Sequence, residues 1–194
     1  MANNQSINDF INGFKGGTRL NRFTVEGNVG TSTSGSGRLL TPFHIRSASL
    51  PEATVGPISI NYRGRTVNYS GDRVYQPWQI TVLDDHGGNA SGSENLFKMF
   101  HDWHDKINSH GSNVTSETNP VNLWQSFWTI KQYEVNCNTA LPGRSFKLFN
   151  VWPIAIGPLV LDMGQDNTLA SFAVTLVYSH YTYDNAPVTS GSGT

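Results

Sequence analysis

The sequence predicts a mainly β, β-rich α+β fold: an antiparallel β-barrel or sandwich of about eight strands flanked by one amphipathic α-helix. Three observations predict it. Apolar and polar residues alternate with a period of two along several short stretches, the mark of half-buried strands. A long apolar stripe at helical spacing occurs in one segment near the middle. Glycine, asparagine, serine and threonine cluster between these stretches, where turns are needed.

Taken in order, Ile7, Phe10, Ile11 and Phe14 fall at helical spacing and suggest a short helical turn ended by Gly16-Gly17. A strand is expected from Arg22 to Glu26, with Phe23 and Val25 on one face, and a second from Phe43 to Leu50. Between them, residues 30–37 are of low complexity and read as a loop. The strongest hairpin pattern runs from Ile58 to Tyr69: Ile58, Ile60 and Tyr62 alternate with polar residues, Arg63-Gly64 supplies the turn, and Val67 and Tyr69 alternate on the return. Tyr75 to Leu83 is a further strand, with Trp78, Ile80 and Val82 on one face.

The helix is placed at Glu94 to Asn108, where Leu96, Phe100, Trp103 and Ile107 make one stripe. Ser91 with Glu94 matches a capping box, and Asn108 with Gly111 a stop. Strands are then expected at Trp124 to Val135, Phe146 to Val151, Pro158 to Asp162 and Leu169 to Tyr183. In the last, Phe172, Val174, Leu176, Tyr178 and His180 share a face. The 194 residues suit a single domain over residues 1–183, with 184–194 a flexible C-terminal tail.

Charged residues are only 14% of the chain, against about 25% in typical soluble domains. The net charge of −1 advertises no nucleic-acid binder. The single cysteine, Cys137, excludes an intrachain disulfide and fits a reducing compartment. The start of the chain lacks a signal peptide's basic patch and apolar run, and no apolar stretch approaches the ~20 residues of a membrane span. A soluble product made in the cytoplasm is expected.

Candidate chemistry is thin. His101 and His104 lie three apart on the helix, with His110 beyond it, but no cysteine cluster or HExxH accompanies them, and a surface pair is the preferred reading. Asp84-Asp85-His86 is a tight acid–base cluster without an identifiable nucleophile or paired carboxylate. It reads as a strand end turning into solvent. Cys137 has no context that would activate a thiolate. No GxSxG, Walker A or GxGxxG occurs, so no catalytic, cofactor-binding or metal residue is assigned and no enzyme is expected. Asn68, Asn89 and Asn113 match the glycosylation pattern, which means nothing without a signal peptide. Most of the aromatic residues belong to the core pattern; Trp124 and Trp128 stand out as candidates for an exposed platform.

The order of motifs resembles the tail tube proteins of T4-like contractile bacteriophages, within the superfamily that includes the type VI secretion tube. The resemblance runs from about Phe14 to Tyr183. It is carried by Arg19-Leu20-Asn21-Arg22-Phe23-Thr24-Val25, Ala48-Ser49-Leu50-Pro51, Val55-Gly56 and the hairpin, then Gly71-Asp72-Arg73, Trp78 and Thr81-Val82. Phe100-His101-Asp102-Trp103, Lys131-Gln132-Tyr133 and Asn150-Val151-Trp152-Pro153 follow, and Ile156-Gly157, Leu161-Asp162 and Phe172-Ala173-Val174-Thr175-Leu176 complete the order.

The resemblance implies a structural virion protein whose hexameric rings stack into the inner tube of a contractile tail. Genomic DNA would pass through the lumen without specific binding. It further implies partners in the tail sheath protein and in baseplate and tail terminator proteins, location in the phage tail, and assembly in the host cytoplasm. Exposed strand edges, normally a hazard, become an assembly device in such a tube.

The segment from Val55 to Arg73 is the candidate stacking element. It places Arg63, Arg65, Asp72 and Arg73 on an otherwise charge-poor chain, where they can set register between rings. Residues 30–37, 87–93, 110–122 and 184–194 look longer than a compact version needs and are expected on the outside or against the sheath. Two other readings remain: a baseplate tube-initiator or a secretion- or injection-system tube protein, and a monomeric carbohydrate-binding β-sandwich with exposed coplanar aromatics.

Overall fold

In the computed structural model, residues 6–14, 18–30, 38–85, 95–115, 126–133 and 143–184 are described. In chain order the elements are α1 (Ile7–Phe14), β1 (Phe23–Val29), β2 (Arg38–Leu40), β3 (Ile45–Ala48), β4 (Ala53–Tyr62), β5 (Arg65–Tyr75) and β6 (Trp78–Leu83). They continue with α2 (Leu96–Ile107), β7 (Ser126–Gln132), β8 (Arg144–Ile156), β9 (Ser171–Val177) and β10 (His180–Asp184). Eight strands form one antiparallel sheet in the order β2-β1-β7-β8-β9-β6-β3, with β10 pairing beside β8. Strands β4 and β5 form a separate two-stranded ribbon. The large sheet folds over so that β3 comes back against β1 without a ladder of hydrogen bonds between them. The result is a sandwich-like open sheet and not a closed barrel.

The fold turns at β8. Its first half pairs with β7 and β10, its second half with β9. At the crossover Trp128 pairs with Leu148 and Ser126 with Val151, so Phe149 and Asn150 together face Phe127. This is a β-bulge with Asn150 at φ 55°, a left-handed conformation that asparagine tolerates better than most residues. The Asn150 amide donates to Ser179 Oγ at 3.1 Å. Strands that change sheets at bulges build the corners of such sandwiches.

Alternation fills the space between the two halves. Val25, Val29, Trp128, Ile130 and Leu148 come from one half, and Trp78, Ile80, Val82, Phe172, Val174 and Leu176 from the other. Leu96, Phe100 and Trp103 of α2 close the core, and Phe97 and Phe100 both meet Phe172 edge-on. Trp78 and Trp128 meet edge-to-face at 5.9 Å across the sandwich. Trp128 lies over Gly27, its cross-strand partner, and a Cβ at Gly27 would fall on the indole ring. The indole N–H donates to Ser126 Oγ, which in turn donates to the Asn28 carbonyl, both at 3.0 Å.

Several elements differ from the sequence expectation, each for a local reason. Pro42 makes residues 42–44 a 3-10 turn, so β3 starts at Ile45 and not at Phe43. Pro77 delays β6 to Trp78. The expected strand from Phe146 to Val151 extends to Arg144–Ile156, whereas Pro158 to Asp162 is loop. The expected strand from Leu169 to Tyr183 breaks after Val177, and His180 starts β10 exposed, stacked on Phe149 at 4.6 Å. The short helical turn expected from Ile7 to Phe14 is an eight-residue helix, α1, beside the one flanking helix expected, α2. Helix α2 is capped by Asn95, whose Oδ1 accepts from Lys98 N at 2.8 Å; Ser91 and Glu94 lie outside the described residues.

Candidate functional site

The ribbon of β4 and β5 stands apart from the large sheet. Every residue from Thr54 to Ser70 is exposed. Its register pairs Ile58 with Tyr69, Ile60 with Val67 and Tyr62 with Arg65, so these six side chains share one face. The opposite face pairs Ser59 with Asn68 and Asn61 with Thr66, and each pair is joined by a side-chain hydrogen bond, at 2.7 and 2.8 Å. The ribbon is therefore amphipathic, with an apolar face and a satisfied polar face, yet no core covers the apolar side. Ile58, Ile60 and Tyr62 are 54%, 52% and 64% exposed.

Local chemistry explains its shape. Arg63 (φ 50°) and Gly64 (φ 80°) both have positive φ, as a two-residue hairpin turn with strand-like twist requires. The Arg63 guanidinium lies 5.4 Å from the Tyr62 ring centroid, a cation–π contact at the tip. Near the base the register shifts between Val55 and Pro57, and Gly71 sits so close to the Gly56 carbonyl that a Cβ would approach it at 2.7 Å. The base is tied down: Gln76 N and the Tyr178 hydroxyl both donate to the Glu52 carbonyl at 3.1 Å. Tyr75 meets Tyr178 and Tyr181 edge-on at 5.8 and 5.5 Å. Burial, with neighbouring Tyr181 and Tyr75, pushes the Tyr178 hydroxyl up to about 12.

The four sequence candidates fall into two groups on this ribbon. Arg63 and Arg65 are at the tip; Asp72 and Arg73 are near the base, about 23 Å away along the strand. All four are exposed, and none joins an ion pair among the described residues.

The other candidates have structural employment. Asp84 and Asp85 are half-buried and do not turn into solvent. Asp85 Oδ1 accepts from Leu96 N at 3.3 Å and Asp84 Oδ1 from Phe97 N at 3.4 Å, so both serve the N-terminus of α2. Asp85 also meets His44 Nε2 at 3.5 Å. The aspartates stand eleven and thirteen residues before the amides they serve, so no local pattern announces this role. His101 packs against Phe97, while the His104 and His110 rings lie 6.1 Å apart. Among the described residues no group of three or more His, Cys, Asp or Glu gathers as a metal set. Trp128 is fully buried and offers no platform; Trp124, His86, Asn89 and Cys137 lie outside the described residues. No described helix is long and apolar enough to cross a membrane.

Comparison with known proteins converges on one family. The family model for the phage tail tube protein matches residues 19–184. The chain is 27% identical over 177 residues to the tail tube protein gp19 of Enterobacteria phage T4, covering 90% of this chain and 98% of that one; the phage T6 protein matches equally. Among solved structures, a chain of the anti-feeding prophage baseplate shares the fold with a TM-score of 0.59 at 14% identity, covering 86% of this chain and 95% of that one. A chain of the sheath–tube complex of an extracellular contractile injection system shares it with a TM-score of 0.54 at 15% identity, covering 87% and 91%.

Proposed function

We propose a role on the premise that this chain belongs to the phage tail tube protein family, and so is a structural protein of a bacteriophage tail. Its subunits close into hexameric rings, and the rings stack into the inner tube of a contractile tail. The tube is the conduit through which genomic DNA leaves the particle, sliding past a wall that does not bind it specifically.

The single observation that carries this reading is the ribbon of β4 and β5. An isolated two-stranded ribbon is at best marginally stable in water. This one adds an uncovered apolar face, which marks an interaction surface. A repeated head-to-tail contact through it extends a stack of rings. Arg63, Arg65, Asp72 and Arg73 fix the register between rings; the separation of tip and base charges supports a contact along the whole ribbon. The tail sheath protein covers the outside, baseplate and terminator proteins close the ends, and the tube assembles in the host cytoplasm before it becomes part of the virion.

Negative-stain electron microscopy of the purified chain over a range of concentrations tests this. Six-fold rings or hollow tubes are the expected outcome. Tubes that form without any other protein favour the main tube subunit over a baseplate initiator. Particles that stay monomeric at every concentration and bind immobilised polysaccharide would refute the role.

A further inference from the structure

The tube reading leaves open what receives the ribbon, and the topology supplies an answer. Strand β6 pairs Trp78 with Leu176 and Leu83 with Ser171. The ribbon joins the sheet at the Trp78 end, through Ala48 and Tyr75. The segment 157–170, between β8 and β9, lies at the other end, beyond Ile156 and Ser171. Donor and candidate acceptor thus sit at opposite ends of the same strands. A head-to-tail, non-self-complementary contact demands this placement.

The chemistry matches as well. The ribbon, residues 53–75, carries three arginines and one aspartate, net +2; segment 157–170 carries Asp162 and Asp166 and no basic residue, net −2, which Arg46 across the cavity brings to −1 for the receiving surface. The segment also holds apolar side chains out in solvent, with Leu161 84% exposed and Val160, Met163 and Leu169 comparably so. These are too many for a loop that serves only to connect strands. Val160, Leu161 and Leu169 line an open cavity of about 420 Å³ together with Asp162 and Arg46, within the size range of a site that accepts a compact group. At about 33 Å for the ten residues of β4, the ribbon is long enough to reach over a neighbouring copy.

We infer that the tip of the ribbon, with Tyr62 as its aromatic anchor and Arg63 and Arg65 beside it, seats in the cavity between Arg46 and segment 160–171 of a second copy of this chain. The apolar face of the ribbon then covers Val160 and Leu161, and the tip arginines meet Asp162 and Asp166. This inference rests on the stacked-tube reading and adds the receiving surface to it.

The test uses the full chain with Cys137→Ser, so that added thiols are unique. Tyr62→Cys and Leu161→Cys proteins are treated with a short bis-maleimide, separately and mixed, and the same samples are imaged for tubes. The expected result is a covalent dimer at least tenfold more abundant in the mixture than in either variant alone. Efficient cross-linking of Tyr62→Cys to itself would put ribbon against ribbon and overturn the inference. Tubes without the mixed cross-link would overturn the receiving surface while leaving the tube role intact. Absence of tubes from the Cys137→Ser parent, which keeps Tyr62 and Leu161, together with absence of the mixed cross-link, would overturn the two together.

Discussion

Replacing Ile60 with serine separates assembly from folding. Ile60 is 52% exposed on the apolar face of the ribbon and is not part of the core. Complete burial of an isoleucine side chain is worth ~1.5–3 kcal/mol, so covering its exposed half against a neighbour contributes about 1 kcal/mol. In the proposed stack of hexamers that loss repeats at roughly six equivalent contacts, about 6 kcal/mol per ring, or on the order of 10⁴ in the equilibrium for adding a ring. Ile60→Ser should therefore raise the concentration at which tubes sediment by orders of magnitude. The thermal midpoint of the dispersed subunit should stay within about 3 °C of the parent, since the side chain touches no core residue. Sedimentation across a dilution series and circular dichroism of the supernatant measure the two effects. An unchanged sedimentation threshold would refute the reasoning, because the apolar face would then be uncovered in the tube as well.

Three other outcomes follow from the same structure. Arg65→Glu with Arg73→Glu should leave a folded subunit, as both side chains are exposed and outside any ion pair among the described residues, but should abolish tube growth; normal tubes by microscopy would refute their role in register. Gly27→Ala forces a methyl group into the indole of Trp128, which Ser126 and Trp78 hold in place. Overpacking of this kind costs about 1–3 kcal/mol, so the melting midpoint should fall by roughly 3–10 °C, and a drop below about 1 °C would show that the ring moves freely. Tyr178, raised to about 12 chiefly by burial, favours its neutral form in the folded state. Its stabilising contribution is complete below the ordinary tyrosine value near 10 and is lost as pH rises toward about 12. Alkaline denaturation monitored with tyrosinate absorbance should show Tyr178→Phe to be less sensitive across that window; identical profiles would contradict the assignment.

Much of the architecture could be read before any coordinates. Period-two alternation from Phe172 to Tyr178 gave the right buried face, because burying one side of a strand is a strictly local requirement. The stripe Leu96–Phe100–Trp103 did the same for α2, and Arg63-Gly64 located the hairpin turn. Reading failed where the chain geometry depends on distant partners. The run past Val177 kept its alternation although the strand had ended, so His180 looked like core and is exposed. The stretch Pro158 to Asp162 is apolar enough to pass for a strand, yet it pairs with no strand among the described residues and forms loop.

The sequence by itself determined where most strands and helix α2 lie, which of their faces are apolar, and that one hairpin carries three of the eight arginines of a charge-poor chain. Those properties follow from the spacing of side chains along a backbone with two soft torsions per residue. Only the tertiary structure decided that Trp128 is buried over Gly27, that Asp84 and Asp85 cap a helix, that β8 changes sheets at Asn150, and that the ribbon and segment 157–170 occupy opposite ends. Each of these depends on a contact between parts of the chain far apart in sequence, as in the Glu26–Lys131 ion pair, 105 residues across. Local periodicity specifies a face but not its partner. The partner is chosen by the global packing of all faces at once.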